Sequence, residues 1–306
     1  MSTTIDEMRW KAVVARDARA NGQFWSCVRT TGVYCLPSCA GRPKRENVIF
    51  AARRADAERA GFRPCKRCRP DRFVSGNLSE RLGAIDWSRV TTDLNQNGSA
   101  SLGRILNDSE CADLIDNYDT PERYRSTVHM RRHSFGEGEY KYFSYPLPPL
   151  VAELRTKLYA VIVPVARAWM GQKYPADHAD YRRQCKAKEQ TRPTPLILKY
   201  GPGDYNRLHQ DLYGDEVFPI QIAILLSQPG KDFDGGEFVM TEQSPRKQSR
   251  AMVAPLEKGF AIAFAVNERP KEGARGTYKV KMRHGVSEIR SGARYCLGII
   301  FHDANG

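Results

Sequence analysis

The chain has 306 residues, of which 41% are hydrophobic and 10% aromatic, and a formal net charge of +13. This composition excludes a disordered chain, and the length allows two domains with separate cores. No stretch approaches the roughly 18 apolar residues of a membrane span, and the first residues lack the plan of a signal peptide. We therefore expect a cytoplasmic protein, in which paired cysteines more often bind metal than form disulfides.

The front of the chain carries most of the positive charge. Residues 1–75 contain 16 Lys and Arg against 7 Asp and Glu, whereas residues 76–306 contain 32 against 28. A compact basic segment favours binding to a phosphate backbone, because binding releases counterions. A basic surface that serves only solubility is the alternative interpretation.

In chain order, the first predicted elements are short. Residues 7–20 have helical spacing, residues 24–33 predict two strands that turn at Thr31-Gly32, and residues 56–60 predict a short helix that ends at Gly61. A Ser-Gly-Asn break at 75–77 marks the predicted domain boundary.

The second part changes from polar and helical to strand-like sequence. Residues 89–103 are polar, Asp108 is expected to cap a helix, and residues 150–170 predict a buried helix that Pro164 should kink. After about residue 195, short apolar runs alternate with turn residues, as in a jelly roll. These runs are 196–200, 217–227, 236–240, 251–254, 260–266, 278–284 and 293–301. The predicted class is α+β: a small zinc-bound α/β domain in residues 1–75, then a double-stranded β-helix with supporting helices in residues 76–306.

Four cysteines near the start form a metal-binding pattern. Cys35 and Cys39 make a C-x3-C pair, and Cys65 and Cys68 make a C-x2-C pair. Four thiolates satisfy the tetrahedral preference of zinc, and saturated sites of this kind are usually structural. The spacing alone leaves open whether the site also has a chemical role.

The flanking sequence resembles a known family. The segments 28–39, 42–48 and 60–70, which include Gly-Val-Tyr-Cys35 and Arg-Pro-Cys65-Lys-Arg-Cys68, resemble the N-terminal zinc domain of the bacterial Ada proteins, which accepts a methyl group from DNA methyl phosphotriesters. The resemblance implies that Cys35 is the methyl acceptor, that all four cysteines bind zinc, and that nearby residues contact DNA. The residues expected to contact DNA are Arg29, Thr30, Arg42, Lys44, Arg45, Lys66 and Arg67.

The resemblance does not extend beyond this domain. No helix-turn-helix segment and no Pro-Cys-His-Arg motif follow residue 75, so transcriptional activation and alkylguanine repair are not expected.

The charge of the zinc site gives a further hypothesis. A zinc ion with four thiolates has a net charge of −2, and methylation of Cys35 makes it −1, so the methylated protein should bind DNA more tightly.

A second metal pattern lies in the strand-rich part. His209 and Asp211 are spaced i and i+2, which on a strand places both on one face, and His284 follows in a later apolar run. Two histidines and one carboxylate are the facial triad of non-haem Fe(II) oxygenases. The H-x-D pair alone is weak evidence. Arg294 is the favoured partner for the distal carboxylate of 2-oxoglutarate, the co-substrate of many such oxygenases, with Arg290 as the alternative.

The last part of the chain resembles the 2-oxoglutarate/Fe(II) dioxygenases, in particular a bacterial family proposed to act on damaged nucleic acid. The supporting segments are 199–211, Asp234-Gly-Gly-Glu-Phe238, Arg283-His284-Gly-Val286 and 292–297. The resemblance implies that His209, Asp211 and His284 hold Fe2+, with 2-oxoglutarate and O2 as co-substrates and ascorbate as a further candidate. It also implies oxidation of C–H bonds, including N-methyl groups that then leave as formaldehyde. Tyr200 is expected either to hydrogen-bond 2-oxoglutarate or to be a buried structural tyrosine.

Several other residues have less specific interpretations. His129 and His133 have helical ligand spacing, but surface histidines are favoured. The remaining cysteines are expected in the core: Cys27, Cys111, Cys185 and Cys296. The basic stretches 181–188 and 269–283 predict either a nucleic-acid groove or solvated loops.

The combined pattern predicts a bifunctional DNA alkylation repair protein. Cys35 would take methyl groups from phosphotriesters, and the iron site would oxidise alkylated nucleic acid. In the alternative, a zinc module that binds or senses DNA tethers a dioxygenase that hydroxylates a protein or small molecule. Alkylated DNA is the expected partner, with no membrane and no obligate protein partner.

Overall fold

The computed structural model describes residues 2–305 except 53, 71–72, 74–75, 172, 213 and 275. The chain divides into two compact units, Met1–Asn77 and Leu78–Gly306. The division lies two residues beyond the boundary expected from the sequence. None of the helices in the described ranges is long and apolar enough to cross a membrane.

The first unit is a small sheet with helices. Its helices are α1 (Ser2–Ala15) and α2 (Arg54–Arg59), and its strands are β1 (Trp25–Val28), β2 (Val33–Cys35), β3 (Val48–Ala51) and β4 (Arg63–Pro64). The strand order is β3-β1-β2-β4; β1 is antiparallel to β2 and β3, and β2 is parallel to β4. Trp25, Cys27, Tyr34 and Ala57 form a core between the sheet and α2. The predicted strand pair and short helix are present, with bounds shifted by one or two residues.

The second unit combines helices with many strands. The helices are α3 (Leu78–Gly83), α4 (Trp87–Asn97), α5 (Asp108–Asp116), α6 (Pro149–Met170) and α7 (His178–Ala187). The first strands are β5 (Ser99–Arg104), β6 (Tyr124–His129), β7 (Gly136–Glu137), β8 (Glu139–Phe143), β9 (Gln190–Arg192), β10 (Leu196–Tyr200), β11 (Tyr205–His209) and β12 (Ile220–Leu225). The later strands are β13 (Phe233–Gly235), β14 (Phe238–Gln243), β15 (Arg250–Ala254), β16 (Phe260–Ala265), β17 (Glu268–Gly273), β18 (Gly276–Val286), β19 (Ile289–Gly292), β20 (Arg294–Ile299) and β21 (Ala304–Asn305).

Two sheets of this unit form a double-stranded β-helix. One has the order β5-β16-β12-β20-β10-β8-β6, and the other has the order β15-β14-β18-β11-β7, with β17 also paired to β18. Residues such as Phe238, Met240, Phe264 and Cys296 fill the space between the sheets. On the other face of the first sheet, α6 packs its apolar side into a separate core. The predicted α+β class and jelly-roll architecture are therefore confirmed.

The polar stretch 89–103 is more ordered than its composition suggests. It contains most of α4, which Asp86 caps by accepting a hydrogen bond from the Arg89 N–H at 3.0 Å, and β5, which pairs with β16. Val90 and Leu94 are buried along one side of α4. The apolar residues are few but lie at helical spacing, and that suffices once the rest of the unit covers them.

Three local expectations need correction or refinement. The side-chain cap of α5 is Asn107 and not Asp108. The buried helix α6 continues through Pro164 from Pro149 to Met170. His129 ends strand β6 and a short 3-10 turn follows, so His129 and His133 do not share an α-helix; the side chain of His133 lies outside the described residues.

Candidate metal centres

The fold of the first unit brings the two cysteine pairs together. Cys35 ends β2, Cys39 follows in a turn, and Cys65 and Cys68 come just after β4. Because β2 and β4 run parallel, with Tyr34 opposite Pro64, both strands lead into the same corner. The four sulfur atoms lie within 4.8 Å of one another.

The cysteine cluster has the electrostatics of a cation site. Without a metal, the hydrogen bond between Cys35 and Cys68, together with burial, holds the pKa of Cys35 well above its usual range. The same hydrogen bond lowers the pKa of Cys68 to about 6, against the effect of burial. Burial raises the pKa of Cys39 to about 11. Neighbouring thiols thus oppose one another's ionisation, and a divalent cation removes that conflict by binding all four thiolates. The donor set fits zinc.

Backbone donors reach two of the four sulfur atoms. The Leu36 N–H donates to Cys68 Sγ at 3.4 Å, and the Gly41 N–H donates to Cys39 Sγ at 3.5 Å. In the described part of the chain, no backbone N–H donates to Cys35 Sγ or to Cys65 Sγ. A hydrogen bond to a thiolate stabilises its charge and reduces its basicity, so Cys35 and Cys65 keep more nucleophilic character than Cys39 and Cys68.

Cys35 faces an open, basic groove. The side chain is 8% exposed and lines a groove of about 980 Å³. Five of the residues expected to contact DNA also line it: Thr30, Arg42, Lys44, Lys66 and Arg67. Arg29 is exposed but lies outside this lining. Arg45 also lies outside, because its guanidinium packs over the rings of Trp10 and Phe50 and donates to the Val48 carbonyl at 2.9 Å.

In the second unit, strand pairing assembles the other predicted metal site. His209 ends β11 and lies directly opposite His284 of β18, and Asp211 follows two residues after His209. The Nε2 atoms of both histidines lie 3.3 Å from the Asp211 carboxylate oxygens. All three side chains therefore point to one place in the interior.

The local hydrogen bonds prepare these side chains for a cation. The Nδ1 atom of His209 is 2.8 Å from the Arg207 carbonyl, which makes Nδ1 the donor and leaves Nε2 as a ligand. Burial opposes ionisation of Asp211, yet its contacts with the His209 and His284 imidazoles hold its pKa well below the usual range. Burial lowers the pKa of His284. A buried carboxylate between two imidazole nitrogens fits Fe2+ with open positions on the metal.

Arg294 provides a buried positive charge beside this site. It is 1% exposed, its Nε has no hydrogen-bond partner, and no carboxylate lies within ion-pair distance in the described part of the chain. Tyr200 lies opposite it across the β10–β20 pair and is fully buried. Arg290, the alternative candidate, is exposed on β19. A buried arginine without a carboxylate partner fits one end of a dicarboxylate such as 2-oxoglutarate.

One small pocket joins the arginine to the metal ligands. Its volume is about 80 Å³, and Tyr200, His209, Asp211, His284 and Arg294 all line it. Gly236, which has a φ of +63°, packs closely against the Arg294 side chain, since a Cβ atom there would lie 2.3 Å from Ile289 Cδ1 and 2.8 Å from Arg294 Cδ. A residue with a side chain at this position would displace the arginine.

Sequence reasoning missed two polar residues of this pocket. Asn206 lines it and donates to the Tyr200 hydroxyl at 3.4 Å. Gln221 lines it from β12 and is 5% exposed, with an unpaired Nε2. Gln221 is the lone polar residue in the apolar run Ile220–Leu225, and that isolation was the signal that could have identified it.

The remaining predicted residues lie where the sequence suggested. Cys27, Cys111, Cys185 and Cys296 are all buried in the core, as expected. His129 is an exposed residue whose Nδ1 lies 3.6 Å from Glu139. These residues belong to neither metal cluster.

A β-helix that encloses a His-Asp-His cluster and a buried arginine defines the class of non-haem iron oxygenases. Within that class, a family model described as "Oxygenase, catalysing oxidative methylation of damaged DNA" matches residues 138–304, and a second model, "Metal binding domain of Ada", matches residues 8–71. The chain belongs to the Oxygenase-NA family and carries an Ada-type metal-binding domain in front. Zn2+ in the first unit, and Fe2+ with 2-oxoglutarate and O2 in the second, are its cofactors, and the chain is an oxidoreductase.

Individual relatives match one half or the other. An uncharacterized protein of Mycobacterium tuberculosis is 46% identical over 167 residues, which is 53% of this chain and 72% of the relative. The bifunctional transcriptional activator/DNA repair enzyme Ada of Escherichia coli is 54% identical over 68 residues, which is 22% of this chain and 19% of Ada.

Two solved structures are also similar. The methylated N-Ada/DNA complex has 39% identity and a TM-score of 0.23, with 36% of this chain and 77% of that chain covered. A Pseudomonas putida prolyl-4-hydroxylase has 12% identity and a TM-score of 0.43, with 72% of this chain and 100% of that chain covered.

Proposed function

We propose that the protein is a bifunctional DNA alkylation repair protein. In this proposal, Cys35 removes methyl groups from DNA phosphotriesters, and the second unit oxidises alkylated nucleic acid. The observation that carries the proposal is the pairing of a basic, cysteine-lined groove with a His-Asp-His cluster beside Arg294 in one chain.

The chemistry of the groove supports methyl transfer in this proposal. Cys35 Sγ attacks the methyl carbon, an S–C bond forms, and the C–O bond breaks with its electron pair left on the phosphate oxygen as an ordinary phosphodiester anion. A methylated phosphate is neutral, so it does not repel the thiolate, and Arg42, Lys44 and Lys66 attract the charged phosphates on either side. The thioether is not cleaved again, so each chain would act once.

The second unit supplies oxidation. When bound, Fe2+ and 2-oxoglutarate activate O2 for insertion of one oxygen atom into a C–H bond. In the proposal, His209, Asp211 and His284 hold the iron, and Arg294 binds the distal carboxylate of 2-oxoglutarate. Tyr200 and Asn206 orient that co-substrate through their hydrogen-bonding groups. The apolar remainder of the pocket excludes water from the reacting atoms.

Peptide mass spectrometry tests the first activity. After incubation with methyl-phosphotriester DNA, the wild-type protein should gain a single methyl group, about 14 Da, on Cys35 and not on Cys39, Cys65 or Cys68. Cys27→Ala is the matched control, because Cys27 is buried in β1 outside the cluster, and it should still accept the methyl group. An adduct on another cysteine, or none on a zinc-loaded protein, would refute the assignment.

Succinate release tests the second activity. The iron-loaded protein should release succinate faster with methylated DNA than with unmodified DNA, and Asp211→Ala should abolish the stimulated release. Turnover stimulated only by a peptide or a small metabolite would show that the oxygenase acts on another class of substrate.

A further inference from the structure

Strand β18 carries a row of positive charges on the face opposite its metal ligand. Along the strand, Val280, Met282 and His284 are buried, whereas Lys279, Lys281 and Arg283 are exposed. Alternate residues of a strand are about 7 Å apart, so the three cations form an evenly spaced line on the outer face of the sheet.

The neighbouring strand extends this line towards the metal pocket. Arg207 of β11 is exposed and lies against Gly285, since a Cβ atom on Gly285 would lie 3.1 Å from the Arg207 backbone. We call Lys279, Lys281, Arg283 and Arg207 the cation row. Because residue 285 has no side chain, nothing at that position separates Arg283 from Arg207.

The residues that flank the cation row are mostly neutral. On β14, Thr241 pairs with Arg283 and Gln243 pairs with Lys281. On β17, Glu268 is in register with Lys281 and forms an ion pair with Lys279 at 3.2 Å. Near Arg207, Glu137 pairs with Arg131 at 2.7 Å. Glu268 offsets one charge at the Lys279 end, and the row keeps a net positive charge because four cations face this one acid.

The Arg207 end of the row adjoins the mouth of the metal pocket. The Arg207 N–H donates to the Phe135 carbonyl at 2.7 Å. The Phe135 ring is 37% exposed, lines the pocket and lies 6.2 Å from the His209 ring. Leu208 and Leu212, on either side of the ligand segment, are 45% and 50% exposed. Cations can bind the phosphates of a single nucleic-acid strand, and an exposed aromatic ring and leucines beside them can contact its unstacked bases.

We propose that the cation row binds the phosphate backbone of a single-stranded segment of nucleic acid and delivers one base past Phe135 to the pocket. This inference rests on the proposed oxidation of alkylated nucleic acid, and it names the form of the substrate. A single line of cations follows one backbone, and a base must leave the helical stack to reach a buried site.

Lysine footprinting on the full-length protein with its metals bound, in the absence of 2-oxoglutarate, tests the row directly. A methylated single-stranded oligonucleotide of about ten nucleotides should slow acetylation of Lys279 and Lys281, and leave Lys186 and Lys188 of the α7 region unchanged. Equal protection of both pairs, or of neither, would overturn the inference. Protection by a duplex but not by the single strand would overturn the single-strand assignment.

Charge-removing variants give a second measurement. Lys281→Gln with Arg283→Gln should reduce the salt dependence of single-strand binding by about 1.4 in the slope of log K against log salt, at 0.7 per phosphate contact. The control, Lys186→Gln with Lys188→Gln, removes the same charge from another exposed basic stretch and should leave the slope unchanged. Equal slopes for all three proteins would contradict the proposal.

The outcome is separable from that of the proposed function. If the iron-loaded protein turns over on methylated DNA while Lys279 and Lys281 stay fully reactive, the cation row is wrong and the oxidation stands. If both lysines are protected but no alkylated nucleic acid stimulates turnover, the row binds nucleic acid and the proposed oxidation is wrong.

Discussion

At the scale of single residues, Arg294 and Arg290 show how burial separates two similar candidates. Both follow His284 closely in sequence, and both lie near β20. Only Arg294 enters the pocket, where Tyr200 lies opposite it in the strand register. The sequence favours Arg294 because this residue begins an apolar strand. Only the folded structure reveals that Arg294 has no carboxylate partner among the described residues.

Replacement of Arg294 by Gln should raise the KM for 2-oxoglutarate by about 100-fold, because a desolvated charge pair is worth roughly 2–5 kcal/mol. Initial rates of succinate release at varied 2-oxoglutarate would measure it. Arg290→Gln is the matched control on exposed β19 and should change KM less than twofold. Similar KM values for the two variants would assign the carboxylate to another group.

Methylation of Cys35 should strengthen DNA binding. The zinc centre loses one negative charge, and the surrounding groove carries Arg42, Lys44 and Lys66. The difference in affinity between the methylated and unmethylated proteins should be largest at low salt, because ions screen exposed charges. Binding isotherms across a salt titration would measure it. Equal affinities of the two forms at every salt concentration would disprove the charge argument.

At the scale of elements, helix α6 connects to the end of the chain through a buried ion pair. Arg155 donates to Asp303 at 2.7 Å and to the carbonyls of Ile300, Phe301 and His302. The His178 ring lies 2.9 Å from the Phe301 carbonyl, and the Phe218 N–H donates to His302 Nδ1 at 3.2 Å. An arginine within an apolar helix is visible in the sequence, but its partners about 150 residues later are not.

This buried cluster predicts a loss of stability in mild acid. Burial lowers the pKa of both His178 and His302 to about 4, below the usual 6.5. The unfolded chain therefore binds protons that the folded chain excludes, so stability is complete above about pH 6.5 and falls as the pH drops towards 4. Each histidine contributes up to about 3 kcal/mol of this change.

Urea unfolding of the second unit at pH 7 and pH 5 would measure the change. His178→Gln can still donate to the Phe301 carbonyl and should lose less stability between the two pH values than the wild-type protein. His129→Gln, at an exposed position on β6, is the control and should match the wild-type change. An identical loss in all three proteins would place the titrating groups elsewhere.

The elements also show what local pattern can and cannot predict. The apolar runs after residue 195 predict β10, β12, β14, β15, β16, β18 and β20, because their hydrophobic residues are contiguous or alternate. Strand β5 was missed since it buries only Ala100 and Leu102, and its stability comes from pairing with β16, which is distant in sequence. Long-range pairing leaves no local signal.

At the scale of the whole molecule, the two metal clusters lie in separate units, each with its own core. Elemental analysis should find one zinc and one iron per chain. Asp211→Ala should remove the iron and keep the zinc, because the zinc ligands all lie in residues 35–68. Cys39→Ser should give the opposite result, with the zinc lost and the iron retained. Loss of both metals from either variant would show that the units depend on each other.

The alignment of His209 with His284 across β11 and β18 has a consequence for maturation. A slip of β11 by one residue would turn Leu208 inward and His209 outward, since neighbouring side chains point to opposite faces. A misaligned sheet could then offer only His284 and no second imidazole. Iron uptake would therefore depend on the correct register of β11 against β18. Only chains with His209 opposite His284 would bind iron and react with oxygen.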